Sequence, residues 1–198
     1  MNLQTDQRIL LVGGTGDGKT TLGLKILAHM AKQSRQAVVI LNPGAEPKLY
    51  EHFGEPRPQI DPSWPAVQHV APPVVSHPKR HGHVFHAIAD RGNVLTYIDE
   101  LALLGDSSRY SLWLKYLYQM GRRRNCGEIA VTQRPVGIPK FTYQMSDHFF
   151  VGDVRGTDLD YIEHATGQRW ADAIQQRQAY QFLYWSRHEK IAPRVVVW

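Results

Sequence analysis

Four glycines fall within six residues at Gly13-Gly14-Thr15-Gly16-Asp17-Gly18, between an apolar run (RILLV, Arg8 to Val12) and a segment with helical spacing from Lys19 to Lys32. Glycine gives up more conformational freedom on folding than any other residue. Such a density therefore marks a chain that must turn left-handed, or one whose backbone amides must come very close to a partner. Gly13 to Thr20 reads GxxxxGKT and sits between a predicted strand and a predicted helix. In that setting consecutive N–H groups form a nest for anionic oxygens at the positive end of the helix. Lys19 would reach the β- and γ-phosphates of a nucleotide and the Thr20 hydroxyl would ligate Mg²⁺. The expected ATP-binding set is Gly13, Gly14, Thr15, Gly16, Asp17, Gly18, Lys19, Thr20 and Thr21, the last as the next helical residue rather than a second cation ligand. A dinucleotide fingerprint is disfavoured, because Lys19-Thr20 would have no task in it and no acidic residue closes the second apolar run at Ile40-Leu41-Asn42.

The rest of the chain alternates between the two periodicities. Strands are predicted at Arg8–Val12, Ala37–Leu41, Val94–Ile98, Ile129–Thr132 and His148–Val151, with a short one at Ala66–Val70. Helices are predicted at Lys19–Lys32, Pro78–Asp90 and Ser107–Arg124, and as a pair within Thr157–Gln176 split near Gly167. Most of the prolines lie between Pro43 and Pro78, so that region reads as largely irregular. Ala179–Trp185 and Arg194–Val197 read as a C-terminal β-hairpin. The pattern predicts an α/β fold, a mainly parallel central sheet flanked by helices, as a single domain over residues 1–198.

Of the 198 residues, 42% are hydrophobic and 21% charged, enough for a packed core and against wholesale disorder. The single cysteine, Cys126, excludes an internal disulfide and reads as a space-filler at a strand entrance. No apolar stretch approaches the roughly 18 residues of a membrane span, so the expectation is a cytoplasmic protein with no direct membrane span. The net charge of +5 leans towards a polyanionic partner such as nucleic acid.

The run NVLTYIDE, Asn93 to Glu100, is an apolar strand ending in adjacent carboxylates. Neighbours on a strand face opposite ways, so the two acids can serve different tasks. Asp99 is the candidate for the Mg²⁺ shell, and Glu100 for orienting or deprotonating an attacking water. A kinase transferring phosphate to a substrate hydroxyl has little need of that second acid, which favours hydrolysis. Lys19 and the two carboxylates must meet at one terminal phosphoryl group, predicting that their strands are neighbours in one sheet. The third strand ends in Gln133-Arg134-Pro135, where Gln133 either contacts the γ-phosphate or its water, or caps a loop.

The succession GGTGDGKT, VLTYIDE, a helix ending in Gly-Arg, then a strand ending in TQRP resembles the FtsK–HerA superfamily of DNA-pumping ATPases. The resemblance covers Arg8 to Val154 and extends loosely to QAYQFLYWS…PRVVVW. It implies a RecA-like P-loop NTPase core, assembly into a homo-oligomeric ring (usually a hexamer) and translocation of double-stranded DNA. By that resemblance Lys19 and Thr20 match the Walker A pair, Asp99 and Glu100 the Walker B pair, and Gln133 the polar sensor. The expectation is a minimal core without the membrane-anchoring or DNA-reading domains of chromosome translocases. At this size it is most similar to genome-packaging ATPases of internal-membrane icosahedral viruses. That implies capsid or portal-vertex proteins as partners, with placement in the host cytoplasm or at a packaging vertex of the virion.

In that family Arg122-Arg123-Arg124 fall where ring neighbours meet. One of them would neutralise charge developing on the γ-phosphate of the next subunit; the other readings are a solvated helix C-terminus or a DNA phosphate contact. The histidine-rich stretch His69 to His86 matches no zinc spacing and reads as a solvated, basic, proline-broken region, from which Lys79, Arg80 and His81 could line a pore. The five tryptophans show no stacking spacing and read as packing residues. Two alternatives to a DNA motor are a P-loop small-molecule kinase and a phage assembly or extrusion ATPase like zonular occludens toxin.

Overall fold

The computed structural model describes residues 3–72, 81–106, 108–189 and 191–196. Among the described residues eight strands form one sheet: β1 (Arg8–Val12), β2 (Ala37–Leu41), β3 (Val67–Val70), β4 (Val94–Ile98), β5 (Gly127–Thr132), β6 (His148–Val151), β7 (Phe182–Ser186) and β8 (Arg194–Val196). Their spatial order is β3-β2-β4-β5-β1-β6-β7-β8. The first six run parallel, and β7 and β8 return antiparallel as the expected C-terminal hairpin. The helices are α1 (Lys19–Ala31), α2 (Pro47–Phe53), α3 (Gly82–Arg91), α4 (Leu112–Met120), α5 (Lys140–Met145), α6 (Thr157–Thr166) and α7 (Ala171–Gln176).

Both faces of the sheet are covered, which is why β1, β2, β4, β5 and β6 read as continuous apolar runs rather than alternating ones. Alternate strand residues still sort by face. Ile9, Leu11, Val38, Ile40, Leu95, Tyr97, Ile129 and Val131 pack with Leu22, Ile26, Leu27 and Met30 of α1. Leu10, Val12, Val39, Leu41, Ile98 and Ala130 pack with Phe85 and Ile88 of α3, Leu114 and Leu117 of α4, Ile162 of α6 and the fully buried Trp170. The glycine loop and the ends of β4 and β5 thus project from one rigid sheet edge, the carboxyl edge, where ligands of open α/β sheets bind.

Several expectations are corrected. The strands leading to Lys19 and to Asp99 are not neighbours: β5 lies between β1 and β4, so Gln133 is interposed between the glycine loop and the acidic pair. The proline-rich region contains α2, whose Pro47 falls in the first turn, where its missing N–H costs nothing. The helix expected over Ser107–Arg124 is shorter at both ends. Ser111 caps α4 by accepting a hydrogen bond from the Trp113 N–H, and Gly121–Arg124 tightens into a 3-10 turn closed by Asn125 at φ 51°. The start of the helix expected from Pro78 lies outside the described residues, which resume with α3. His69 and His81 are buried rather than solvated: His69 is held between the Gly54 carbonyl (2.7 Å) and the Asn42 amide (3.3 Å). Burial therefore removes His81 from any pore-lining role, while Lys79 and Arg80 lie outside the described residues. Trp170 and Trp185 are core and Trp113 is half-exposed; Trp198 lies outside the described residues.

Candidate nucleotide site

At the carboxyl edge a cavity of about 640 Å³ is lined by Thr15 to Leu22, Glu46, Lys48, Asp99, Glu100, Gln133, Tyr180, Phe182 and Val196. It gathers the predicted residues Thr15, Gly16, Asp17, Gly18, Lys19, Thr20, Thr21, Asp99, Glu100 and Gln133. Gly18, just before α1, stands at φ 90°, a conformation side chains resist, and it aims the first turn of α1 at the cavity. The Lys19 side chain folds back to donate to the Gly14 carbonyl at 2.6 Å. Burial lowers the Lys19 pKa, and the Asp17, Glu100 and Asp99 carboxylates work against that, favouring the ammonium. Lys48 donates to the Thr21 hydroxyl at 3.1 Å, so that hydroxyl is turned towards α2.

Asp17 does something the motif does not announce. Its carboxylate accepts from the N–H of Gly14 (2.8 Å) and of Asp153 (2.7 Å) and pairs with the nearly buried Arg177 at 3.3 Å. The Gly14 N–H also reaches the Asp153 carbonyl at 3.0 Å. A Cβ on Gly13 would stand 2.5 Å from the Asp17 carboxylate, so this glycine is required by the closure of the loop on itself. Gly13, Gly14 and Asp17 therefore clamp the loop to the turn after β6, leaving Thr15 to Thr20 to face the cavity.

The acidic pair is separated by a turn rather than by strand alternation, because β4 ends at Ile98. Glu100 sits at φ 61°, a strained left-handed position for a residue with a Cβ, of the kind held in place by surrounding structure at functional sites. The Thr20 hydroxyl lies 3.3 Å from Asp99 Oδ1, and the buried Tyr97 hydroxyl donates to the same oxygen at 2.9 Å. Burial raises the Asp99 pKa, only partly opposed by the Tyr97 hydrogen bond. A desolvated carboxylate beside a hydroxyl, with no cationic side chain pairing it among the described residues, fits a hard divalent cation. Among the described residues no three His, Cys, Asp or Glu side chains cluster as a metal cage, so Mg²⁺ here would depend on Thr20, Asp99, water and nucleotide phosphates.

Glu100 is positioned from β5. The Thr132 hydroxyl donates to one carboxylate oxygen at 3.0 Å and the Gln133 N–H to the other at 3.2 Å. The Gln133 side chain in turn accepts from the Thr15 hydroxyl at 3.0 Å. Tyr97, Thr132, Arg177 and Tyr180 are site residues that sequence reading missed. Thr132 and Tyr97 are legible only as strand residues, one and two positions from Gln133 and Asp99, and Arg177 and Tyr180 carry no local signal.

Arg122, Arg123 and Arg124 are not brought to this cavity. They precede β5, whereas Gln133 follows it, so six strand residues, roughly 20 Å, separate the two ends. Arg122 pairs with Asp147 (2.9 Å) and Asp6 (3.7 Å), and Arg124 donates to the Ala89 and Asp90 carbonyls. Arg123 is exposed, and its side chain makes no hydrogen bond or ion pair among the described residues. Cys126 is buried, and burial raises its thiol pKa, in keeping with a packing role. Among the described residues no helix is long and apolar enough to cross a membrane.

No protein-family model and no curated protein matches the sequence, so the likeness to known proteins is one of structure. The genome-packaging NTPase B204 of Sulfolobus turreted icosahedral virus 2, solved with ATP-γS, superposes with a TM-score of 0.79 at 18% identity, covering 98% of each chain. VirB4 of Thermoanaerobacter pseudethanolicus gives 0.65 at 9% identity over 96% of this chain and 89% of that one. The N-terminal domain of zonular occludens toxin from Neisseria meningitidis gives 0.54 at 11%, covering 97% of this chain and 93% of that one. The chain has the RecA-like P-loop NTPase fold that these neighbours share.

Proposed function

We propose that this chain is a Mg²⁺-dependent ATPase of the FtsK–HerA type, hydrolysing ATP to ADP and phosphate to drive double-stranded DNA into a viral capsid as one subunit of a homo-oligomeric ring. The observation that carries the reading is the placement of Glu100, held by Thr132 and the Gln133 backbone, while the Gln133 side chain touches Thr15 of the phosphate loop. A carboxylate so placed serves hydrolysis, because a water between it and a γ-phosphate would be oriented and deprotonated as attack proceeds. Lys19 would leave the Gly14 carbonyl for the β- and γ-phosphate oxygens, and Thr20 and Asp99 would hold the cation. Magnesium, when bound, supplies charge neutralisation at the phosphoryl oxygens. The likeness to a genome-packaging NTPase over nearly the full length of both chains supports DNA as cargo. A kinase reading leaves both Glu100 and Gln133 without a task.

The experiment is ATP turnover with and without linear duplex DNA, on protein sized by light scattering, with Glu100→Gln as the inactive control. DNA-stimulated turnover by a ring supports the motor. Turnover by a monomer, indifferent to DNA, would sink it and leave the kinase or extrusion readings.

A further inference from the structure

The phosphate loop, the acidic pair and Gln133 leave part of the cavity lining without a task. Tyr180, Phe182 and Val196, from the turn before β7, from β7 and from β8, form a wall of the same cavity. β5, which carries Gln133, and β7 are three strand spacings apart, about 14 Å. A nucleotide whose γ-phosphate lies near Gln133 and Glu100 would thus extend its ribose and base towards this wall.

Tyr180 is unusual in three ways at once. It is 75% exposed, although it belongs to a cavity wall. Its backbone is left-handed at φ 61°, an uncommon conformation for a bulky residue. Its ring lies beside the phosphate loop, 3.6 Å from where a Cβ on Gly18 would stand. The turn that presents it is fastened to that same loop. Arg177, nearly buried, pairs with Asp17 and donates to the Gln178 and Gln181 carbonyls, while the Gln178 N–H is bonded to the Gln181 side chain. An aromatic face is thereby held at a set distance from the phosphate cradle, with one side still open to solvent.

Resting on the nucleotide reading above, we infer that Tyr180 is the stacking platform for the nucleobase. Recognition is then by the face of the base. The Tyr180, Phe182 and Val196 side chains carry neither an amide nor a carboxylate to read a base edge, so adenine and guanine nucleoside triphosphates are accepted alike and adenine is not singled out.

Calorimetry with Mg²⁺ tests this on the full chain, comparing non-hydrolysable ATP and GTP analogues and inorganic tripolyphosphate across wild type, Tyr180→Phe and Tyr180→Ala. The expected result is similar affinity for the two analogues, about a tenfold loss for both in Tyr180→Ala, retention in Tyr180→Phe, and unchanged tripolyphosphate binding throughout. Unchanged analogue affinity in Tyr180→Ala overturns the platform. Equal loss of analogues and tripolyphosphate in that variant also overturns it, assigning Tyr180 to loop shape. A wild type that binds tripolyphosphate but prefers one analogue a hundredfold overturns the class specificity. Binding of none of the three by wild type removes the nucleotide site itself, a different failure.

Discussion

Gln133 accepts a 3.0 Å hydrogen bond from the hydroxyl of Thr15, 118 residues earlier in the chain, and through its own backbone N–H it holds Glu100 at 3.2 Å. One residue thus spans the phosphate loop and the carboxylate expected to handle water. It can do so because β5 is inserted between β1 and β4. A phosphate arriving at the loop would compete for Thr15, and the side chain it frees is attached to the residue that steadies Glu100.

Removing the carboxylate and removing the relay have different signatures. Glu100→Gln is expected to keep nucleotide affinity within a few-fold and to slow turnover by about 10²–10⁴, the range for loss of a general base. Gln133→Ala is expected to slow turnover by about one to two decades, leaving Glu100 in place with a less ordered partner. Single-turnover hydrolysis beside equilibrium binding checks both. A Gln133→Ala enzyme with wild-type turnover would reduce that residue to a loop cap.

Asp99 yields a prediction in which stability and function move in opposite directions. Burial raises its pKa, so in the absence of a cation its ionisation opposes folding at every pH above the unfolded carboxylate value. Asp99→Asn is therefore expected to melt at a higher temperature than wild type at neutral pH without nucleotide. It should also lose the tightening of ATP binding that Mg²⁺ brings. Melting curves and titrations with and without EDTA decide it; a variant less stable than wild type would show that Asp99 acts chiefly as a hydrogen-bond acceptor for Tyr97 and Thr20.

Much of this was legible before any coordinates. The parallel core follows from apolar runs buried on both faces, and the phosphate loop from a motif whose chemistry is local. The strand order was not legible, because register and adjacency depend on crossovers that leave no pattern in the runs themselves, and so the insertion of β5 reversed an expectation of neighbouring strands. By motif Asp17 belongs to the nucleotide set, yet its partners Asp153 and Arg177 stand 136 and 160 residues away. Pairing at that separation has no sequence signature. The helix expected through Arg124 failed for a local reason that was readable, Gly121 together with Asn125, and its true start was marked by Ser111.

The arginine trio is narrowed by its own contacts. Arg122 and Arg124 are engaged within the subunit, whereas Arg123 extends into solvent. In a ring, Arg123 is the one expected to reach a neighbouring subunit's γ-phosphate. Arg123→Ala should keep nucleotide binding, lose about three decades of turnover, and regain activity when mixed with a Lys19→Ala subunit whose own arginine is intact. Arg122→Ala should instead lower stability by about 1 kcal/mol, a modest loss because the guanidinium is half-exposed. Wild-type turnover in Arg123→Ala would remove the trans role from the cluster.

Glu128 lies on β5, fully buried beside Tyr118 and Arg8, with one carboxylate oxygen lacking a hydrogen-bond partner. Burial pushes its pKa up to about 7 from an ordinary 4.5, and the Tyr118 hydrogen bond and Arg8 charge only partly oppose that. Between those two values the unfolded chain has released a proton that the folded chain retains. Stability from this group therefore falls as pH rises from about 4.5 to about 7 and stays level above. Glu128→Gln keeps the shape and removes the titration, so its gain over wild type should grow across that interval to about 3 kcal/mol at pH 8. Urea melts at pH 5 and pH 8 measure the difference. A gap between variant and wild type that is the same at both pH values would mean that Glu128 stays ionised in the folded protein, paired with Arg8 through a rearrangement of the β5 entrance.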